Sequence, residues 1–218
     1  MKIPYIKHNI IEKKANDLLE DFYTSENLST AKPLDVIHVI EYLGYDIDFR
    51  NDGIYKDKDI LGGLDIDKKL IEINANILNQ KGRLAFTMAH EIGHIVLHVP
   101  LYNKKNKKKE ILCRKSEGID GVKKKPEEVQ ADMFASYLLM PEDKIIYAFN
   151  KMYRKPVNVG TKKLIDYIYP KSRKQKGLKI ASNIIDYGEI GDVSKLAMLN
   201  RLIGLRLIKG IKFQKNRK

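Results

Sequence analysis

Cysteine is almost missing from this chain: Cys113 is the single one among 218 residues. One thiol cannot form an internal disulfide, and a reducing cytoplasm is the expected setting. Cys113 lies in a Lys-rich stretch without a defined partner and reads as incidental. Long apolar runs are also missing. No stretch approaches the roughly 18 apolar residues of a membrane-spanning helix, so no membrane association is expected. Residues 1–14, M-K-I-P-Y-I-K-H-N-I-I-E-K-K, lack an apolar core long enough for a signal peptide. Acidic residues thin out toward the end. Residues 1–100 carry 12 basic and 16 acidic side chains, whereas residues 151–218 carry 18 and 4. The overall charge is +13. Such a tail fits contact with nucleic acid or an acidic partner. No RNA-binding or zinc-finger-type signature accompanies it, so a solvated basic surface explains it as well.

The chain does contain Phe86 to His98, F-T-M-A-H-E-I-G-H-I-V-L-H. Within it, His90-Glu91-Ile92-Gly93-His94 matches H-E-x-x-H. Residues four apart stack on one helix face, so His90 and His94 can aim two imidazoles at one point. Zn²⁺ accepts neutral histidine nitrogens in a tetrahedral shell. Glu91, beside the first ligand, is placed to take a proton from water at the metal. Leu84, Ala85, Met88, Ala89, Ile92, Ile95 and Val96 predict a helix buried on most of its circumference. Ionisable groups inside such a helix are costly without a partner. Gly93 leaves room for close packing or for substrate. His98, one turn past His94, is a conceivable third ligand. Three histidines spread over eight positions of one helix close a tetrahedron poorly, however.

A two-histidine site needs a third protein ligand. The next strongly helical stretch, Glu127 to Pro141, reads E-E-V-Q-A-D-M-F-A-S-Y-L-L-M-P, with Pro126 at a favoured first position. Val129, Met133, Ser136/Tyr137 and Met140 suggest its buried stripe. Glu128 is the candidate ligand. Asp132, four residues on, shares its face and can accept the second N–H of a ligand histidine, fixing its tautomer. Glu127 is the alternative, and the pair can also serve as helix N-terminal charge.

These two stretches together resemble the ImmA/IrrE metallopeptidase family, whose pattern is FTLAHELGH followed by E-x-x-A-N-x-F-A-x-x-L-L-M-P. The matching positions are His90, Glu91, His94, Glu128, Ala131, Phe134, Ala135, Leu138, Leu139, Met140 and Pro141. Asp132 stands where the family usually has Asn, which keeps an acceptor and adds charge. Less specific similarity covers residues 34–141, and a weaker one 190–208. The resemblance implies a gluzincin-like zinc fold that cleaves a protein partner, often a helix-turn-helix repressor of a mobile element or stress regulon. Some members carry an extra DNA-binding helix-turn-helix domain; no clear one stands at this N-terminus.

The remaining chain predicts an α+β class: a mainly helical zincin-like metallopeptidase domain with a small antiparallel sheet, plus a basic C-terminal helical segment. The expected division is residues 1–150 and 151–218. Helices are predicted over residues 4–27, with Ile10, Ile11, Leu18, Leu19 and Phe22 as the apolar stripe, and over Leu34–Leu43. A strand follows at Tyr45–Phe49. Gly62 to Asp67 and Leu70 to Asn74 read as a hairpin. An extended substrate pairing with such a strand is one reading, and an ordinary hairpin is the other. Residues 99–126 predict an exposed, mobile loop. Later come helices at Glu142–Tyr153 and Thr161–Tyr169, a break at 157–160, and a basic linker at 171–179. Val193 to Leu205 resembles the family's ending and also a helix-turn-helix unit.

The expected function is therefore a zinc endopeptidase acting on a cytoplasmic protein, with His90, His94 and Glu128 as metal ligands and Glu91 as base. Tyr102, Tyr137 and Tyr147 are candidate oxyanion donors. Mn²⁺ or Fe²⁺ also suits a two-His, one-carboxylate set. Other expectations are a non-proteolytic anti-repressor, a DNA-contacting regulator using the basic tail, and a small-substrate metallohydrolase. No sequence feature specifies an oligomeric state.

Overall fold

The computed structural model describes residues 4–54, 57–103, 112–115, 125–160 and 172–211. The chain divides into two compact units, Met1–Leu139 and Met140–Lys218.

The first unit opens with residues 4–7 outside any helix or strand, followed by helix α1 (His8–Ser25) with Lys7 extended before it. The predicted helix began four residues earlier. Its buried stripe is Ile11, Ala15, Leu18, Leu19 and Phe22. That spacing of 4, 3, 1 and 3 follows a single helical face. Ile10 falls outside it and is exposed. Helix α2 (Val36–Tyr42) starts where the Asp35 side chain accepts from Ile37 N at 3.0 Å and His38 N at 3.2 Å. That cap satisfies two amides with no partner inside the helix.

Strands β1 (Asp46–Arg50), β2 (Ile60–Asp65) and β3 (Leu70–Asn74) follow. The hairpin forms: β2 and β3 are antiparallel, with Gly63 opposite Glu72 and Leu64 opposite Ile71. The sheet as a whole is mixed rather than antiparallel. Its order is β1-β3-β2-β4, and β1 runs parallel to β3. The hairpin inserts β3 next to β1, so the two strands end up side by side in one direction. Buried Asn74 ties the sheet together. Its Nδ2 donates to Lys58 O at 3.1 Å and Ile60 O at 3.0 Å, and its Oδ1 accepts from Asn76 N at 3.0 Å.

Helix α3 (Lys81–Leu97) carries the H-E-x-x-H run and is buried around most of its circumference. Residues 99–126, expected to be an exposed, mobile loop, contain helix α4 (Val99–Asn103) and strand β4 (Leu112–Lys115). Strand β4 pairs antiparallel with β2, Gly63 opposite Cys113. Its residues show no alternating pattern because the pairing partner, not periodicity, makes them a strand. Consequently β2 is flanked on both sides within the chain, and among the described residues the sheet edge on this side is β4.

Helix α5 (Pro126–Leu139) packs against both α3 and α1. It buries Gln130, Ala131, Phe134, Ala135, Leu138 and Leu139. Of the expected positions Met140 is buried, Met133, Ser136 and Tyr137 are half-buried and Val129 is exposed, so the stripe is shifted along most of α5. Two helices must be covered at once, so the buried arc is set by both neighbours and includes a polar residue. Phe22, Phe134, Ile40, Leu64, Ile71, Ile73 and Ile92 are among the fully buried side chains. Each contributes roughly 1.5–3 kcal/mol of apolar burial.

The second unit contains α6 (Glu142–Tyr153), β5 (Val157–Asn158), α7 (Arg173–Tyr187), α8 (Lys195–Gly204) and β6 (Ile208–Lys209). The expected break at 157–160 holds β5, which pairs parallel with β6. Within the expected linker at 171–179, the described residues from Ser172 on are the cap and start of α7. Ser172 Oγ accepts from Gln175 N at 3.2 Å, and Gln175 Oε1 accepts from Ser172 N at 2.9 Å. This reciprocal cap starts a helix. Gly177, which suggested flexibility, is a packing residue: a Cβ there would meet Leu199 Cδ1 at 2.8 Å. The expected helix 161–169 lies outside the described residues. No helix among the described residues is long and apolar enough to cross a membrane.

Candidate metal centre

The site is built by helices α3 and α5. They approach closely because position 93 has no side chain. A Cβ on Gly93 would meet Ala131 Cα and O at 3.1 Å and Phe134 Cβ at 3.2 Å. Of the two uses open to Gly93, the structure shows close helix packing. The crossing lies between the two histidines and one turn along α5 from Glu128, so three polar side chains meet inside an apolar junction.

His90 Nε2 and His94 Nε2 lie 3.0 Å apart. Glu128 Oε2 is 3.3 Å from His90 Nε2, and Glu128 Oε1 is 3.4 Å from His94 Nε2. Both rings are buried, while the Glu128 side chain is 20% exposed and marks the solvent side. A tetrahedral zinc ion at about 2.0–2.1 Å from each donor sets donor separations of roughly 3.3–3.4 Å. The two Glu128 separations match that spacing, each through a different carboxylate oxygen, and the histidine pair is slightly closer. Among the described residues, His90, His94 and Glu128 form a group that could hold a metal ion. Glu127 is not in it.

The far side of His90 faces Asp132, with Nδ1 2.9 Å from Oδ1. A carboxylate only accepts, so Nδ1 carries a hydrogen and Nε2 is the nitrogen that faces the cluster, where it can hold a proton or a metal ion. The His90 pKa is pushed up to about 9: burial pulls it down, but the hydrogen bonds to Asp132 and Glu128 outweigh it. Burial would raise Glu128, yet its hydrogen bonds with His90 and His94 hold the carboxyl well below the usual carboxylate range. The cluster is therefore built to hold one positive charge, a proton or a metal ion.

Glu91 is fully buried between α3 and strand β2. The strand passes so close that a Cβ on Gly62 would stand 2.6 Å from Thr87 Cγ2 and 2.8 Å from Glu91 Oε1. Gly62 thus accommodates the helix side chains. Periodicity alone could not identify this contact, since it requires knowing which strand lies over the helix.

His98 does not join the three converging donors. It is fully buried, with Nδ1 2.9 Å from His94 Nδ1 and Nε2 3.0 Å from Gln130 Oε1. Gln130 Nε2 in turn donates to the Pro4 carbonyl at 3.0 Å. Burial pushes the His98 pKa down to about 4. Gln130 escaped sequence reasoning because a glutamine two positions past a candidate ligand carries no signal by itself. Tyr137 sits nine residues from Glu128, on the opposite face of α5 and about 13 Å along its axis. Tyr147 belongs to the second unit and is 61% exposed. The Tyr102 side chain lies outside the described residues.

A zincin-type arrangement of this kind defines a metallopeptidase class, and the sequence comparison agrees. The family model of the IrrE N-terminal-like domain, peptidase family M78, matches residues 50–163. The chain belongs to this family. No curated protein matches it.

Proposed function

We propose that this chain is a zinc-dependent endopeptidase in which His90, His94 and Glu128 hold the ion and Glu91 is the general base. The supporting observation is the convergence of His90, His94 and the Glu128 carboxylate, with separations of 3.0, 3.3 and 3.4 Å, beside a buried glutamate. Bound zinc would polarise the scissile carbonyl and acidify water. Glu91 accepts the proton of the attacking water and passes it to the leaving amine. Asp132 holds His90 in the tautomer that offers Nε2. The low dielectric of the α3–α5 junction strengthens each of these interactions.

The substrate proposed is a cytoplasmic helix-turn-helix repressor of a mobile element or stress regulon, supported by the family resemblance. The basic second unit suits an acidic partner. Helix α7 exposes Arg173, Lys174 and Lys179, so duplex DNA contact is the second reading. Its signature is affinity that falls linearly in log–log form with salt. Salt-insensitive or absent duplex binding would remove it.

Elemental analysis beside a repressor-cleavage assay tests the main reading. Wild type is expected to carry one zinc per chain, and Glu128→Ala to lose it. Glu91→Gln is expected to keep the metal and lose turnover. Wild-type cleavage by Glu91→Gln, or no zinc in wild type after supplementation, would overturn the proposal.

A further inference from the structure

His98 directly follows helix α3, which carries His90 and His94; it is fully buried and unused by the mechanism above. Its surroundings assign hydrogens by elimination. The Pro4 carbonyl can only accept, so the group facing it at 3.0 Å is the Gln130 amide NH₂. The Gln130 carbonyl oxygen must then face His98 Nε2, 3.0 Å away. That oxygen also only accepts, so His98 Nε2 bears the hydrogen. A neutral imidazole has one N–H, which leaves His98 Nδ1 as an acceptor. The atom 2.9 Å from it is His94 Nδ1, which must therefore be N–H. His94 Nε2 is left with a lone pair, and it points at His90 Nε2 and Glu128.

We propose that His98 and Gln130 form a one-directional hydrogen-bond relay that positions His94 for the metal, anchored on the Pro4 main-chain carbonyl. This rests on the metal reading above. The two histidine ligands are then held differently. His90 leans on a carboxylate, Asp132, which strengthens its donation. His94 leans on a neutral chain that ends on the backbone. Its tautomer is set without adding a second negative charge beside Glu128 and Glu91. The late start of α1 at His8 also acquires a purpose: a helix starting at Pro4 would turn that carbonyl into its own first turn. The N-terminal segment, far away in sequence, thereby helps define the metal site. His98 and Gln130 are positioning residues and touch neither the metal nor the substrate.

Two measurements on the full chain decide this. Long-range proton–nitrogen NMR of the zinc-loaded wild type is expected to show His98 as the Nε2–H tautomer and His94 protonated at Nδ1. Zinc affinity, from competition with a chromophoric chelator, is expected to fall about 10–100-fold in His98→Phe, which keeps ring volume but has no acceptor. His98→Asn, whose amide oxygen can occupy the Nδ1 position, is expected to recover part of the loss. Gln130→Met should weaken zinc in the wild-type background and have little effect added to His98→Phe, because it acts through His98. A His98 Nδ1–H tautomer, or additive losses in the double variant, would overturn the relay while leaving the metal reading intact. Wild type that binds no zinc would overturn both. If His98→Phe fails to fold, the wild-type tautomers alone decide.

Discussion

Single residues in this protein are constrained by what lies across from them, and Gly62 is the clearest case. Its hydrogen atom occupies space that a Cβ would contest with Thr87 and Glu91. Gly62→Ala is expected to push the Glu91 carboxylate out of place. Displacement of about 1 Å costs on the order of 100-fold in rate. Metal content should stay unchanged, since Glu91 is no ligand in the proposed site. Steady-state cleavage beside elemental analysis checks this, and unchanged turnover would refute the placement of Glu91. His90 supports a second prediction. With a pKa near 9, it carries a proton at neutral pH before metal binds. The metal takes the same nitrogen, so binding at pH 7 should release about one proton. Affinity should therefore rise with pH up to about 9 and level off above. Calorimetry in buffers of different ionisation enthalpy counts the proton, and zero release would contradict the assignment.

Elements meet where side chains permit it, and the α3–α5 crossing depends on Gly93. Gly93→Val inserts three carbons where a single added Cβ would already stand 3.1 Å from backbone atoms of Ala131. Overpacking of this kind costs roughly 1–3 kcal/mol. It should also move α5 outward and carry Glu128 away from the histidine pair. Denaturant unfolding and chelator competition together are expected to show lower stability and weaker zinc binding. Weaker stability with unaltered zinc affinity would mean that the crossing does not set the site. The existence of α3 and α5 was legible in the sequence from periodicity and Pro126. The buried face of α5 was not, because it answers to α1 as well as α3. Nor was α7, whose glycine and lysines imitate a linker until the Ser172–Gln175 cap and the packing of Gly177 are seen.

On the scale of the whole molecule, the proposed zinc site lies entirely in the first unit and joins segments remote in sequence: residue 4, the 90–98 turns and the 128–132 turn. Metal bound only by the folded state stabilises it by mass action, about 2.7 kcal/mol at a free concentration 100 times Kd. Chelation is expected to lower the melting temperature by roughly 5–10 °C, read by calorimetry with and without chelator. An unchanged melting temperature would mean that the cluster binds no metal in the folded chain. What the sequence by itself determined is local. The i, i+4 spacing stacks His90 on His94 and Glu128 on Asp132, because a helix returns to the same face every 3.6 residues. The paired motifs then specify the family. Only the tertiary structure decided which glutamate meets the histidines, that Asp132 faces His90, and that His98 turns to Gln130. It also decided that β4 lies beside β2. Those choices depend on how helices cross and strands dock, and a crossing is settled by the shapes of both partners, which no single stretch of sequence contains.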